Sequence, residues 1–348
     1  HRYADLVAHA EALLAAAGLD GDKPAVVAER LVLADAMGHT THGLALLPGY
    51  LAAIEGGGIT PTGAPEVVTD RTAAVVWDGR RLPGVWLASK AMALAVERAR
   101  VAGTCTVAIR NSGHIGCLAV HPPIATDAGM MGVVASSDPA ITLVAPYGGT
   151  EALLTPNPFG IGIPTEGDPI LIDVSTSITT AGMATRARAR GERLNGAWAL
   201  DAAGRPTDDP NVMWAEPRGS LLPIGGLDHG HKGYALGLWV EALTQGLGGW
   251  GRADRPTGWA GAVFVQVYDP ELFAGGDAFR RQTEWLAEAC RTNRPIDPAK
   301  PVRLPGASAA EGVRRAKRDG LELFPGIAEG LAPWAEKLGV ARLVAAAG

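Results

Sequence analysis

Apolar residues recur at helical spacing from Tyr3 to Ala17, where Leu6, Val7, Ala10, Leu13, Leu14 and Ala17 share a face and Gly18 follows as a C-terminal stop. The spacing predicts an amphipathic helix. A second helix is predicted from Lys23 to Gly38, with Asp22 as N-cap, Pro24 in the first turn, and Val26, Leu31 and Ala34 as apolar positions. A third spans Leu44 to Glu55. Beyond it the period changes: β-rich runs at Ala73–Trp77, Thr104–Ile109, Gly132–Ala135, Ile170–Val174 and Val263–Tyr268 alternate with helical stretches at Leu87–Ala102, Lys232–Leu247 and Ala278–Thr292. After a proline-punctuated stretch, Ala309–Asp319 and Ile327–Leu338 return to helix. The alternation predicts an α/β fold. The chain divides into a helical lobe, residues 1–70 joined by the C-terminal helices of 301–348, and an α/β core at 71–300.

With 348 residues, 47% of them hydrophobic and 19% charged, the chain is long and apolar enough to bury a sizeable core. The net charge is −5 and like charges never cluster in long runs, which argues against a nucleic-acid or membrane partner. The longest apolar stretches, such as Leu118–Val120 and Leu343–Ala347, are far too short to span a bilayer, and a basic-then-apolar leader pattern is lacking, so a cytoplasmic location is expected. Cys105, Cys117 and Cys290 show no C-x-x-C spacing and suit reduced thiols.

Three predicted strands run into polar clusters: Asn111-Ser112-Gly113-His114, Ser136-Ser137-Asp138, and Asp173 to Ser177. Such residues are also ordinary turn formers. In open α/β sheets, however, ligands bind beyond the carboxyl ends of strands, and three clusters in series can converge on one crevice. The dinucleotide fingerprint G-x-G-x-x-G is missing, since Pro164 and Thr165 follow Gly160-Ile161-Gly162-Ile163 where a helix should open. A second glycine-rich stretch, Gly225 to Gly233, lacks the Ser or Thr that a P-loop places after Lys232. What remains there is a glycine-rich turn feeding a helix, either an anion site with Lys232 in its first turn or a solvated loop. His114, between Gly113 and Gly116, is either a structural loop histidine or a proton donor to a carbonyl oxygen. Asp228, His229 and His231 lack a metal-ligand framework, and no metal is expected.

Taken in order, Ala34-Asp35-Ala36, Thr41-His42-Gly43, Asn111 to Gly116, Pro156-Asn157-Pro158, Asp173 to Ser177, Gly230-His231-Lys232-Gly233-Tyr234 and Leu304-Pro305-Gly306 resemble the type 2 malate/L-lactate dehydrogenase family. That family also contains ureidoglycolate dehydrogenase, sulfolactate dehydrogenase and Δ1-piperideine-2-carboxylate reductases. The resemblance runs from about Ala34 to Val340. It implies a non-Rossmann nicotinamide-dependent fold with a mixed sheet core, NADH or NADPH as cofactor, a small-molecule substrate and a homodimer, in which we expect the N-terminal helices to contribute to the interface. It implies hydride transfer between the cofactor and a 2-oxo acid/2-hydroxy acid pair or, alternatively, a cyclic imino acid.

By the same resemblance His114 matches the proton donor, and His42 opens the substrate and nicotinamide pocket with Thr41 beside it. Ser136, Asp173, Val174, Ser175, Lys232, Pro305 and Gly306 match cofactor-contacting segments. Three positions depart from the pattern. Leu46 replaces an arginine that grips the substrate carboxylate, Met183 replaces a lysine, and Ala307 replaces a glutamate. Leu46 predicts poor use of malate and lactate unless Arg110, Arg186 or Arg188 supplies the cation. The departures also motivate a third reading, a cofactor-binding protein without turnover.

Overall fold

The computed structural model describes residues 1–343; the last residues of the apolar stretch at Leu343–Ala347, and of the 301–348 segment, lie outside them. A seven-stranded sheet forms the centre, built from β1 (Glu66–Arg71), β2 (Ala74–Asp78), β3 (Thr104–Ser112), β4 (Met131–Ser137), β5 (Phe159–Ile163), β6 (Ile170–Val174) and β10 (Gly261–Tyr268) in the order β1-β2-β3-β10-β4-β5-β6. Only β2 and β3 pair in parallel; the other neighbours are antiparallel. A small second sheet, β7 (Ala199–Leu200), β8 (Pro206–Thr207) and β9 (Ser220–Leu221), has its own apolar cluster around Leu154, Leu194, Met213 and Leu221.

This topology is mixed, and it explains why the three polar clusters meet. Antiparallel β10 lies between β3 and β4, and antiparallel β5 lies between β4 and β6. Two reversals restore the direction, so β3, β4 and β6 all end at the same edge of the sheet. The convergence expected of a parallel sheet is reached with reversed strands interleaved.

Helices α1 (Tyr3–Ala16), α2 (Lys23–Ala36) and α3 (Leu47–Glu55) pack with α4 (Gly84–Ala102), α9 (Ala307–Asp319) and α10 (Ile327–Leu338). Leu6, Leu13, Leu14, Leu31 and Leu51 are buried in one continuous core with Leu87, Met92 and Val265. The apolar faces of the N-terminal helices are therefore covered within the chain. Asp22 does not cap α2 through its side chain; it instead accepts from Trp86 Nε1 at 2.8 Å and pairs with Lys90, joining α2 to α4. Short α5 (Pro123–Thr126), α6 (Ala181–Ala189), α7 (Gly226–Glu241) and α8 (Gly276–Arg291) complete the fold. No helix among the described residues is long and apolar enough to cross a membrane.

Glycine sets how closely these elements approach. A Cβ on Gly84, at the start of α4, would lie 2.0 Å from the carbonyl oxygen of Gly113 and 2.7 Å from that of His114. On α7, Gly230, Gly233 and Gly237 face inward, and a Cβ on Gly233 would meet the Ile224 carbonyl at 2.5 Å. The glycines of the H-K-G-Y stretch thus serve close helix packing.

Candidate active site

A cavity of about 500 Å³ opens at the common strand edge, a size suited to a small ligand with part of a cofactor. Its wall includes Thr41, His42, His114, Ser136, Asp138, Asp173, Ser175, Met183, Arg186 and Trp259. Among the residues singled out from sequence, Thr41, His42, His114, Ser136, Asp173 and Ser175 are brought together here. Val174, Leu46, Lys232, Pro305 and Gly306 are not in the wall.

The reasons differ. Leu46 ends a 3-10 turn, Leu44–Leu46, and packs its apolar side chain against the main core, so it does not form the pocket wall as expected. Lys232 follows a kink at His229 within α7 and projects from its exposed face. Pro305 accepts from the Leu171 amide at 3.1 Å, while Gly306, at φ +91°, caps α9 against β6, two residues before Asp173.

His114 is held by its Nδ1, which accepts from the Gly116 amide at 3.2 Å and lies 2.8 Å from the Tyr50 hydroxyl. A nitrogen that accepts an amide proton carries none itself, so the neutral ring has its proton on Nε2, the nitrogen left for a ligand. Burial pushes the pKa of His114 down to about 4, helped by His42, whose ring stacks on it at 6.1 Å between centroids. His42 is also lowered by burial, against the upward pull of Asp173, and its Nδ1 sits 2.8 Å from Thr41 Oγ1. Trp259 and Tyr50 close the aromatic side, with ring centroids 5.7 Å apart at an edge-on angle of 88°.

The Thr41-His42-Gly43 turn is fixed from behind by Asp35, a buried carboxyl whose Oδ2 accepts from the Leu44 amide at 2.7 Å. Its Oδ1 has no hydrogen-bond partner among the described residues, and burial pushes its pKa up to about 7. A Cβ on Gly43 would fall 2.4 Å from this carboxyl group, which is why glycine follows His42.

Elsewhere in the wall, Asp173 Oδ2 accepts from the Ala119 amide at 3.0 Å and from the Cys117 thiol at 3.5 Å. His39, Cys117 and Asp173 bring ligand atoms within 4.8 Å of one another. A metal there would need a thiolate, whereas burial and the neighbouring carboxylate push the Cys117 thiol well above its usual range. In this form the Cys117 thiol donates to Asp173, and the His39 ring lies beside the pair. Pro156-Asn157-Pro158 has a supporting part: buried Asn157, at φ +42°, donates to Gly237 O at 3.1 Å and Glu241 Oε1 at 2.9 Å, tying α7 to β5.

Sequence reasoning missed Tyr50, Trp259 and Gly84, whose roles arise from contacts across distant segments. Asp35 was noted only within a motif. Buried His121 was also passed over: it lies 3.0 Å from the Ile115 carbonyl through Nε2, and burial pushes its pKa down to about 4. For His114 and His121 the folded pKa is depressed from about 6.5, so their contribution to stability is complete above that value and is lost as the pH falls through 4. Each ring accounts for at most about 3 kcal/mol. Asp35 acts in the opposite sense, since its raised pKa costs stability as the pH rises from about 4 to 7. With the rings of His9, His42, His114 and His121 lowered by burial against the raised carboxyls of Asp35 and Asp138, the urea midpoint is expected to fall as the pH drops from 6.5 to 4.5. A midpoint that rises over that interval would contradict the assignment.

The malate/L-lactate dehydrogenase family profile matches residues 2–332. The chain is 33% identical over 338 residues to an L-lactate dehydrogenase of Cupriavidus necator, covering 94% of this chain and 95% of that one. It is 30% identical to an L-sulfolactate dehydrogenase of Methanothermobacter thermautotrophicus, covering 95% and 93%. The crystal structure of malate dehydrogenase from Entamoeba histolytica superposes with a TM-score of 0.92 at 23% identity, covering 98% of both chains, and supports the same fold. With a family match along nearly its whole length and a histidine-lined cavity at the common strand edge, this chain belongs to the malate/L-lactate dehydrogenase family and is an oxidoreductase of the dehydrogenase class.

Proposed function

We propose that the protein transfers a hydride between NADH or NADPH and a 2-oxo acid/2-hydroxy acid pair, with His114 acting on the substrate oxygen. The observation that carries this reading is His114 itself: a desolvated imidazole, anchored through Nδ1, that offers Nε2 to a ligand in the cavity. When bound, the nicotinamide supplies or accepts the hydride. Asp173 fits its carboxamide, because one carboxylate oxygen is fixed by the Ala119 amide while the other makes no hydrogen bond among the described residues. Ser136 and Ser175 add hydroxyls along the same wall.

In the reductive direction, Nε2–H of His114 donates to the carbonyl oxygen and stabilises the charge that develops there. An anionic substrate brought against this ring raises its proton affinity; in the imidazolium Nδ1–H gives up the Gly116 amide and donates to the Tyr50 hydroxyl, and Nε2–H passes to the substrate oxygen as hydride reaches C2, leaving the neutral ring with its proton on Nδ1. His42 and Trp259 exclude water beside it. The test is a fluorescence titration with NADH and NADPH, followed by assays across 2-oxo acids and cyclic imines in both directions. Saturable nicotinamide binding and 2-oxo acid reduction are expected. Reduction of imines alone would favour the alternative substrate, and cofactor binding with no turnover would favour a binding protein.

Lys232, Val174, Pro305 and Gly306 belong to the cofactor's outer contacts in this reading. Exposed Lys232 would meet a phosphate in solvent, and Lys232→Ala is expected to weaken NADH or NADPH binding by about 1.5 to 3 kcal/mol if that contact is charge-assisted. Unchanged affinity removes Lys232 from the site.

A homodimer is the proposed assembly, with α7 rather than the N-terminal helices at its interface. Leu236, Leu238 and Trp239 on α7 are 39%, 46% and 45% exposed, whereas the apolar faces of α1 and α2 are already buried. Light scattering at micromolar concentration should give twice the chain mass, and Leu238→Asp should halve it. A monomeric parent protein would contradict this.

A further inference from the structure

We infer that Arg186 is the anchor for the substrate's carboxylate and the residue that makes the cavity select anionic substrates. This rests on the 2-oxo acid reading above and names the group that recognises its charged end.

Among the described residues lining the cavity, Arg186 is the one lysine or arginine, and Asp138 and Asp173 are its acidic members. It stands on α6, whose first turn packs on the His42 turn: a Cβ on Gly182 would be 3.4 Å from Thr41 Cβ, and Thr180 caps the helix by accepting from the Met183 amide at 3.2 Å. The guanidinium is held by two supports. Nη1 donates to Thr40 Oγ1 at 2.9 Å and Nη2 to Thr40 O at 2.8 Å, while its centre lies 4.0 Å from the ring centroid of Phe324.

These contacts use neutral acceptors. An arginine has five N–H donors in a planar fork, so three remain. Among the described residues no carboxylate lies within ion-pair distance of Arg186, although Asp35 attracts it from farther away. Desolvation lowers its pKa, the neighbouring Arg190 adds to the effect, and the more distant Asp35 opposes it. A preorganised, unpaired fork beside His42 matches a carboxylate, with which it can form two parallel hydrogen bonds.

The other cations weighed from sequence are engaged elsewhere. Arg110 Nε pairs with Asp78 at 3.0 Å, and Arg188 lies over Trp214 at 4.7 Å from its centroid; neither lines the cavity. With Leu46 packed against the core and absent from the cavity wall, the charged end of a 2-oxo acid has one permanent cation to meet among the described lining residues, and it comes from α6.

The experiment uses oxamate, a non-reacting 2-oxo acid mimic, titrated calorimetrically into the NADH-loaded protein, with parent, Arg186→Lys and Arg186→Met compared. A loss of at least 30-fold in oxamate affinity is expected for Arg186→Met and a smaller loss for Arg186→Lys, with NADH affinity unchanged within about twofold. For the best-reduced 2-oxo acid and its methyl ester, the acid-to-ester ratio of kcat/KM should fall by a similar factor in Arg186→Met, because the ester lacks the charge. Equal oxamate binding in parent and Arg186→Met, or no oxamate binding to the parent, overturns the proposal. An equal loss on acid and ester also overturns it, since Arg186 would then only support the Thr40 segment. Arg186-dependent oxamate binding without turnover on any 2-oxo acid would sink the hydride-transfer reading and leave the anchor standing.

Discussion

His114→Ala is expected to lower turnover by about 10² or more while leaving nicotinamide affinity within a few-fold of the parent, the loss typical of a positioned proton donor. The ring is fixed from one side only, by Gly116 and Tyr50 on Nδ1, and it stacks on His42 and meets Trp259 at a tilt. Its removal therefore leaves the Asp173 wall in place. Tyr50→Phe keeps the apolar packing and removes the hydroxyl beside Nδ1, so a smaller drop is expected, carried in kcat rather than in cofactor binding. The measurement is steady-state kinetics beside a fluorescence titration. Parent-like turnover in His114→Ala would move the proton donor elsewhere, with His42 the next candidate.

Gly84→Ala is expected to be the most disruptive methyl group that can be added near the site. The contact is backbone on backbone, with the new Cβ 2.0 Å from Gly113 O and 2.6 Å from Gly113 C, so no rotamer change relieves it. Either the start of α4 or residues 113–114 must move, at a cost of roughly 3 kcal/mol. Movement on the order of 1 Å at His114 would cost about 10² in rate. Gly167→Ala, where nothing lies within 4 Å of the new Cβ, is the control and should be silent in both respects. If Gly84→Ala keeps the Tm and kcat of the control, the tight approach of α4 to the His114 segment is wrong.

The long helices and the central strands were legible because burial imposed a period on them. Leu6, Leu13 and Leu14 on α1, or Val263, Val265 and Val267 on β10, are core residues at helical and strand spacing respectively. β1 was not legible, since it is an edge strand with almost every residue exposed and no apolar alternation to read. β5 was obscured for a different reason. Its Gly160 and Gly162 suggested half of a phosphate loop, but they are small because Leu118 and Pro122 pack directly on the strand, where a Cβ would fall at 3.2 and 2.8 Å. α6 lacks a marked apolar stripe, and with it went the placement of Arg186: sequence could propose three arginines, and only the fold separates them.

At the site, His114, Ser136, Asp173 and Ser175 were legible because each sits at the end of a recognisable strand, and His42 came only through the resemblance to the family. The supports were not. Tyr50 meets His114 from α3, Trp259 precedes β10, and Gly84 opens α4, so their relation to the histidine exists only in three dimensions. Leu46 and Lys232 show the opposite limit. Position along a motif does not fix which way a side chain turns, and one packs, half-buried, against the core while the other lies on an exposed helix face.

The central claim, hydride transfer to the C2 carbon of a 2-oxo acid, is tested most directly by isotope. NADH or NADPH carrying deuterium at the transferable C4 position is incubated with the protein and the best 2-oxo acid, and the product is read by mass spectrometry and NMR. The account predicts a 2-hydroxy acid with one deuterium at C2, and none there when unlabelled cofactor is used in heavy water. A product without cofactor-derived deuterium at C2, or no reduced product from any 2-oxo acid, would contradict it.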